Sequence, residues 1–118
     1  MARGFRMGVG GGRPSRKTYT GTISSVGPYA TETRYIGVAA STNINGLITG
    51  EYPVSLGVEY GIIKINVNGT DITIPGTAGA RKDFLVNIPC NEGDAIILKA
   101  TNNAGNYLFN NVTWTLTL

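Results

Sequence analysis

The chain has 118 residues and a formal net charge of +3, with no histidine and a single cysteine, Cys90. This length is typical of one domain. The lack of histidine excludes Ser-His-Asp and Cys-His catalysis, and the single cysteine excludes an internal disulfide, a thiolate zinc site and an iron–sulfur cluster. No apolar run approaches the roughly 18 residues of a membrane span, so we expect no membrane-spanning segment.

The first 17 residues differ in composition from the rest of the chain. They carry five cationic side chains, five glycines and no acid, whereas the remaining 101 residues carry five cations and seven acids. A charge excess on a terminal segment is typical of an attachment arm. We therefore predict a basic arm over residues 1–17 and a separate domain over residues 18–118. Glycines stand where a secretory signal has its apolar stretch, so we expect no signal peptide and synthesis in a cytosol.

The first half of the domain predicts strands and one hairpin. Residues 18–24, 34–40 and 53–58 have strand composition. Residues 63–67 and 70–74 then flank Asn68-Gly69, a pair that favours a type I′ turn because both of its residues tolerate positive φ. Residues 77–83 have the composition of an exposed loop.

The second half predicts three further strands. Residues 84–88 alternate apolar and polar positions, residues 95–101 form a buried run, and turns are expected at 91–94 and 102–106. Residues 112–118 alternate strictly, which places Trp114 on a buried face and the threonines on the other. Strands spaced by about ten residues predict an all-β fold, an antiparallel β-sandwich or jelly-roll-like domain of seven or eight strands behind an extended N-terminal arm. An OB-type barrel is disfavoured because no helix is predicted.

Catalytic chemistry finds no support in the sequence. The carboxylates are scattered, and no spacing selects a facing pair of the kind a glycosidase needs. The residues 91–94 could form a calcium loop, but they lack the ladder of an EF-hand and are more typical of a tight turn capped by Asp94. Cys90 has the context of a half-buried apolar residue. We expect no enzyme activity, no catalytic residue, no metal and no cofactor.

The arm combines cations with alternating apolar residues. This pattern favours docking on a neighbouring protein, with apolar side chains in grooves and arginines on acidic groups. Nucleic-acid contact and a merely flexible tail remain alternatives, although the spread of the cations among glycines disfavours nucleic acid. The candidate docking residues are Arg3, Phe5, Arg6, Met7, Val9, Arg13, Arg16 and Lys17.

Several tyrosines lie beside predicted turns. Tyr29, Tyr52 and Tyr107 have this context, and tyrosine is frequent both at protein interfaces and on sugar-binding surfaces. We predict that these three side chains form an exposed surface for a subunit interface or for a glycan.

A resemblance to a known group is carried by the opening twelve residues, which read MARGFRMGVGGG. They resemble the N-terminus of small tail- or fibre-associated virion proteins of tailed bacteriophages of Gram-positive gut bacteria, in which such a leader precedes varied β-rich bodies. The run from Glu92 to Leu98 is also similar to a turn of viral and lectin-like β-sandwiches. No catalytic residue can be transferred from this resemblance.

The resemblance implies a virion structural protein of the tail, baseplate or fibre region, anchored by its arm. Other virion proteins and further copies of the same chain are the expected partners, and a host surface glycan is a possible one. A capsid decoration or cementing protein and a carbohydrate-binding host-recognition module are the alternatives.

Overall fold

The fold is described by a computed structural model that covers residues 15–52, 54–55, 58–74 and 81–118. Within these residues all regular structure is β. The strands are β1 (Thr18–Val26), β2 (Thr31–Val38), β3 (Asn43–Glu51), β4 (Val54–Ser55), β5 (Val58–Glu59), β6 (Gly61–Val67), β7 (Thr70–Ile74), β8 (Arg81–Pro89), β9 (Ala95–Asn102) and β10 (Phe109–Thr117).

Eight of these strands form two four-stranded antiparallel sheets. Sheet A has the order β1-β10-β3-β8 and sheet B the order β2-β9-β6-β7, while β4 and β5 pair only with each other. Residues of both sheets share one apolar core, so the domain is a β-sandwich. The predicted all-β, antiparallel sandwich is thereby confirmed.

The core lies between the inner faces of the two sheets and follows the alternation of each strand. In β10, Val112, Trp114 and Leu116 are buried, as the alternation of the last seven residues predicts. The indole of Trp114 lies over Gly21 of β1, where a side chain would collide with it. The larger core members are Ile23, Ile36, Ile44, Ile48, Tyr52, Ile63, Ile65, Ile74, Ile88, Ile96, Leu98, Phe109, Trp114, Leu116 and Leu118.

Two local predictions are confirmed by backbone geometry. Asn68 and Gly69 have φ of 49° and 92° and connect β6 to β7, as a type I′ hairpin requires. In the turn at residues 91–94, the Asn91 amide donates to Asp94 Oδ2 at 2.8 Å and the Asp94 amide donates to the Asn91 carbonyl at 3.0 Å. Asp94 thus caps a tight turn.

Several predicted elements of the first half are wrong. No strand is predicted over residues 43–51, which form β3, a central strand of sheet A. Within the strand predicted at 53–58, the described residues 54–55 and 58 belong to the short strands β4 and β5. Strand β3 contains two glycines, which usually indicate turns. Here Gly50 lies against the Phe109 ring, where an added Cβ would come within 3.0 Å, so the glycine serves close packing. Strand β8 also begins at Arg81, inside the segment predicted as a loop.

Candidate functional site

Two of the three predicted surface tyrosines meet at one end of the sandwich. Tyr29, in the β1–β2 turn, and Tyr107, in the β9–β10 loop, line the same open cleft of about 520 Å³. A third tyrosine joins them there. This tyrosine cleft is lined by Tyr29, Tyr60, Tyr107 and residues 103–106.

A tight turn presents Tyr29 to the solvent. The amide of Ala30 donates to the carbonyl of Gly27 at 3.1 Å, and Pro28 occupies the first central position of this turn. Tyr29 occupies the second with a φ of 54°, a value that glycine or asparagine usually adopts. Its side chain is 77% exposed.

The ring of Tyr29 lies over the β9–β10 loop at Gly105. A Cβ built on Gly105 would come within 2.9 Å of the Tyr29 hydroxyl oxygen. The missing side chain of Gly105 therefore gives Tyr29 the space to lie against the loop. Two loops that are far apart in sequence form one surface as a result.

Asn102, the last residue of β9, holds these loops together. Its side chain is fully buried, and its Nδ2 donates to the carbonyl of Val26 at 3.0 Å and to that of Tyr107 at 2.8 Å. Its Oδ1 accepts from the amide of Ala104 at 2.8 Å. A single side chain thereby ties the end of β1 to both ends of the β9–β10 loop.

Backbone hydrogen bonds complete this frame. The amide of Asn102 donates to the carbonyl of Ala30, and the amide of Asn103 donates to the carbonyl of Tyr60, both at 2.9 Å. The three segments that carry the tyrosines are therefore bonded to one another behind the cleft.

Tyr52 is not part of this surface, so that prediction is wrong. It is 4% exposed, and its ring packs on Phe109 with 4.6 Å between ring centroids and edge-on to Phe84 at 6.0 Å. Tyr52 follows β3 directly, which keeps its ring in the core. Tyr60 takes its place in the cleft, and its position just before Gly61 is a turn-proximal signal of the same kind.

The chain enters the sandwich at the opposite end from the tyrosine cleft. Strand β1 begins at Thr18 beside the C-terminus of β10 and ends at Val26 beside the tyrosine cleft. Nine residues of strand span about 30 Å. The base of the arm and the tyrosine cleft are therefore separated by roughly the length of the sheet.

Two of the predicted docking residues lie in the described part of the chain and contact the domain itself. The guanidinium of Arg16 donates to the carbonyls of Asn43 and Thr117, both at 3.1 Å, and to Asn45 Oδ1 at 2.9 Å. The carbonyl of Lys17 accepts from the amide of Leu118 at 3.0 Å. Arg3, Phe5, Arg6, Met7, Val9 and Arg13 lie outside the described residues.

A second cleft, of about 330 Å³, lies at the arm end beside Cys90 and Asp94. Cys90 is buried, as expected for an apolar residue, and its Sγ donates to the carbonyl of Ser41 at 3.3 Å. Burial raises the pKa of the Cys90 thiol, the charge of Asp94 adds to this rise, and Arg16 opposes it. The thiol is therefore held in its protonated, weakly nucleophilic form.

The outer face of sheet A is rich in threonine and carries an apolar pair. Leu47 and Leu85 are cross-strand neighbours, and Leu47 is also paired with Thr115. Leu85 is 90% exposed. Around them, Thr18 and Thr117 share a hydroxyl hydrogen bond of 2.8 Å. Thr113 shares another with Thr49, which is buried. The face thus offers hydroxyls and two leucines to a neighbouring surface.

Neither metal ligands nor a membrane-spanning helix is found in the described ranges. There, the His, Cys, Asp and Glu side chains form no group of three that could hold a metal ion. The same residues include no helix that is long and apolar enough to cross a membrane. No protein-family model matches the chain, and no curated protein matches its sequence.

Proposed function

We propose that this chain is a non-enzymatic structural protein of a bacteriophage virion, in the tail, baseplate or fibre region. Its N-terminal arm docks on neighbouring subunits, and its sandwich is displayed outward. The observation that carries this proposal is the arrangement of the two ends. A basic, glycine-rich segment precedes the sandwich at one end, and exposed aromatic loops lie at the other.

We also infer that the sandwich is a jelly roll. In support, the main strands alternate between the two sheets along the chain, and only β6 and β7 are consecutive strands within one sheet. Eight strands in this arrangement are typical of jelly rolls, which build viral capsid and lectin domains. A fold of this kind hosts several functions, so it is compatible with a virion role without indicating it alone.

The arm binds by two kinds of contact. Arg3, Arg6 and Arg13 pair with acidic groups of the receiving subunit, and the alternating apolar residues fill grooves or extend a sheet edge. Fourteen residues span at most about 50 Å when extended, enough to reach a neighbour. Arg16 has a different task, because its hydrogen bonds to β3 and β10 fasten the base of the arm to the sandwich.

Further copies of the same chain are the second proposed partner. The threonine-rich outer face of sheet A, with Leu47 and Leu85 side by side, is suited to packing against a second copy. Burial of Leu85 in such a contact would remove an apolar side chain from water and stabilise the assembly.

Deletion of residues 1–14 tests the proposal. Truncation before Ser15 keeps Arg16 and Lys17 on the sandwich, so the shortened chain should unfold at the same temperature as the full chain. It should be lost from virus particles purified from the producing culture, as measured by quantitative mass spectrometry. The full-length Lys64→Ala variant, which loses a cation of the domain but keeps the arm, is the matched control and should be incorporated normally.

Normal incorporation of the shortened chain would contradict the docking role, and absence of the full chain from particles would contradict the virion role itself. A capsid decoration protein is the alternative, and immunogold labelling of the particles separates the two by placing the chain on the head or on the tail.

A further inference from the structure

We infer that the tyrosine cleft is a binding site for a neutral carbohydrate. This inference goes beyond the proposed structural role and does not depend on it, because it is based on the side chains and hydrogen bonds at one end of the sandwich.

The lining of the cleft has the chemistry that a sugar requires. Tyr29, Tyr60 and Tyr107 supply ring faces with polar tips, which suit a ligand with an apolar face and a hydroxyl rim. The amides of Asn103 and Asn106 contain both donors and acceptors, as sugar hydroxyls do. A volume of about 520 Å³ lies within the range of small-ligand sites.

Charge decides between classes of sugar. None of the described residues that line the cleft carries an ionisable acid or base other than the tyrosine hydroxyls. A sialylated or sulfated ligand would lose hydration there without gaining an ionic partner, which is unfavourable. A neutral sugar has no charged group to desolvate, so the cleft favours neutral ligands.

Hydrogen bonds within the protein already connect the segments of the cleft. Asn102 bonds to Val26, Ala104 and Tyr107, and the Asn103 amide bonds to Tyr60, so the tyrosine-bearing segments share one hydrogen-bonded frame. A preformed site loses less entropy on binding than a mobile one. Loops held by a rigid scaffold are a common position for binding residues.

The backbone at Tyr29 adds an independent observation. A bulky residue with a φ of 54° is strained, and such strain is frequent at ligand sites. The turn nevertheless places this ring over Gly105, another residue of the lining. The strained conformation thus has a definite result, which is an exposed ring held against the second loop.

An array of immobilised oligosaccharides tests the inference with the purified full-length chain. The array holds neutral glycans built from glucose, galactose, mannose, N-acetylglucosamine and rhamnose, together with sialylated and sulfated glycans. We expect binding to one or more neutral glycans and none to the acidic set. Absence of binding to every neutral glycan, or binding to acidic glycans alone, would overturn the inference.

Variants then place the bound glycan in the cleft, with affinities measured by titration calorimetry. Tyr29→Ala and Tyr107→Ala should each weaken binding by about tenfold or more, as central aromatic residues of a site do. Tyr35→Ala is the matched control, because Tyr35 is also exposed but lies on β2 away from the cleft, and its affinity should stay within about twofold.

Gly105→Ala provides a second test that removes no ligand-contacting group. The new methyl group would displace the Tyr29 hydroxyl, which is the free end of a side chain, so the fold should persist while binding weakens. An unchanged unfolding temperature shows that the loss is local. Undiminished glycan binding by Tyr29→Ala and Tyr107→Ala would refute the assignment, and so would an equal loss of binding in Tyr35→Ala. Incorporation of these variants into particles reports only on the proposed structural role.

Discussion

Tyr29 combines a strained backbone conformation with an exposed side chain. It has a positive φ of 54°, and its side chain is 77% exposed, so burial contributes little to offset the backbone strain. For a residue other than glycine, this left-handed conformation costs roughly 1–2 kcal/mol. A tyrosine at position 29 therefore lowers the free energy of unfolding relative to a residue that adopts this conformation without strain.

Replacing Tyr29 by glycine should make the domain more stable. Relief of the strain outweighs the larger backbone entropy that glycine has in the unfolded chain, and we expect a gain of about 0.5–1 kcal/mol. Thermal unfolding followed by circular dichroism should show a melting temperature higher by a few degrees. The matched Tyr29→Ala variant keeps the strain and should show no gain. A Tyr29→Gly variant no more stable than Tyr29→Ala would contradict this account.

The sequence identified some of these tyrosines and misassigned another. Proximity to a turn correctly indicated Tyr29 and Tyr107 as exposed, but the same criterion failed for Tyr52, which packs on Phe109. A turn indicates where the chain reverses direction. Whether a side chain next to it is buried depends on whether that side chain lies on the inner or the outer face of the sheet. Since β3 was not recognised, the face of Tyr52 could not be inferred.

At the scale of elements, Asn102 links three parts of the cleft. It is the last residue of β9, and its side chain bonds to the end of β1 and to two residues of the β9–β10 loop. Buried polar groups that lose their partners destabilise a protein by about 1–3 kcal/mol each. The structure at this end of the sandwich thus depends on one amide.

Asn102→Asp should lower the free energy of unfolding by about 3 kcal/mol or more. The change replaces the Nδ2 donor by a carboxylate oxygen, which would face the carbonyls of Val26 and Tyr107 without a hydrogen to share. Denaturant titration measures the effect. The matched variant Asn103→Asp adds the same charge at the next, exposed position and should change stability by less than about 0.5 kcal/mol. Equal losses in both variants would show that the buried hydrogen bonds are not responsible.

Elements encoded by neighbouring residues could be predicted from the sequence. Features that depend on residues distant in sequence could not. The Asn68-Gly69 hairpin, the turn capped by Asp94 and the alternating last strand are encoded by neighbouring residues, and all three are confirmed. Strand β3 is not predicted from the sequence, because its glycines are typical of turns. In the structure, Gly50 makes room for the ring of Phe109. The sheet order was equally hidden, since β1 pairs with β10 from the far end of the chain.

At the scale of the molecule, the described sandwich has two different ends about 30 Å apart, as set by the length of a nine-residue strand. Arg16 fastens the base of the arm to β3 and β10 at one end, and the tyrosine cleft lies at the other. In the proposed particle, the arm end faces the receiving subunit and the cleft end faces the solvent. A site for a neutral sugar would then be placed where a ligand outside the particle can reach it.

The most direct test of this orientation is maleimide labelling of single introduced cysteines on intact particles. Ser15→Cys marks the arm end and Asn106→Cys marks the cleft end; both positions are exposed in the chain itself. The native Cys90 should remain unlabelled, because it is buried and its pKa is raised by that burial. We predict that both variants react as free proteins, but that only Asn106→Cys reacts on particles. Protection of Asn106→Cys on particles with Ser15→Cys still reactive would contradict the account.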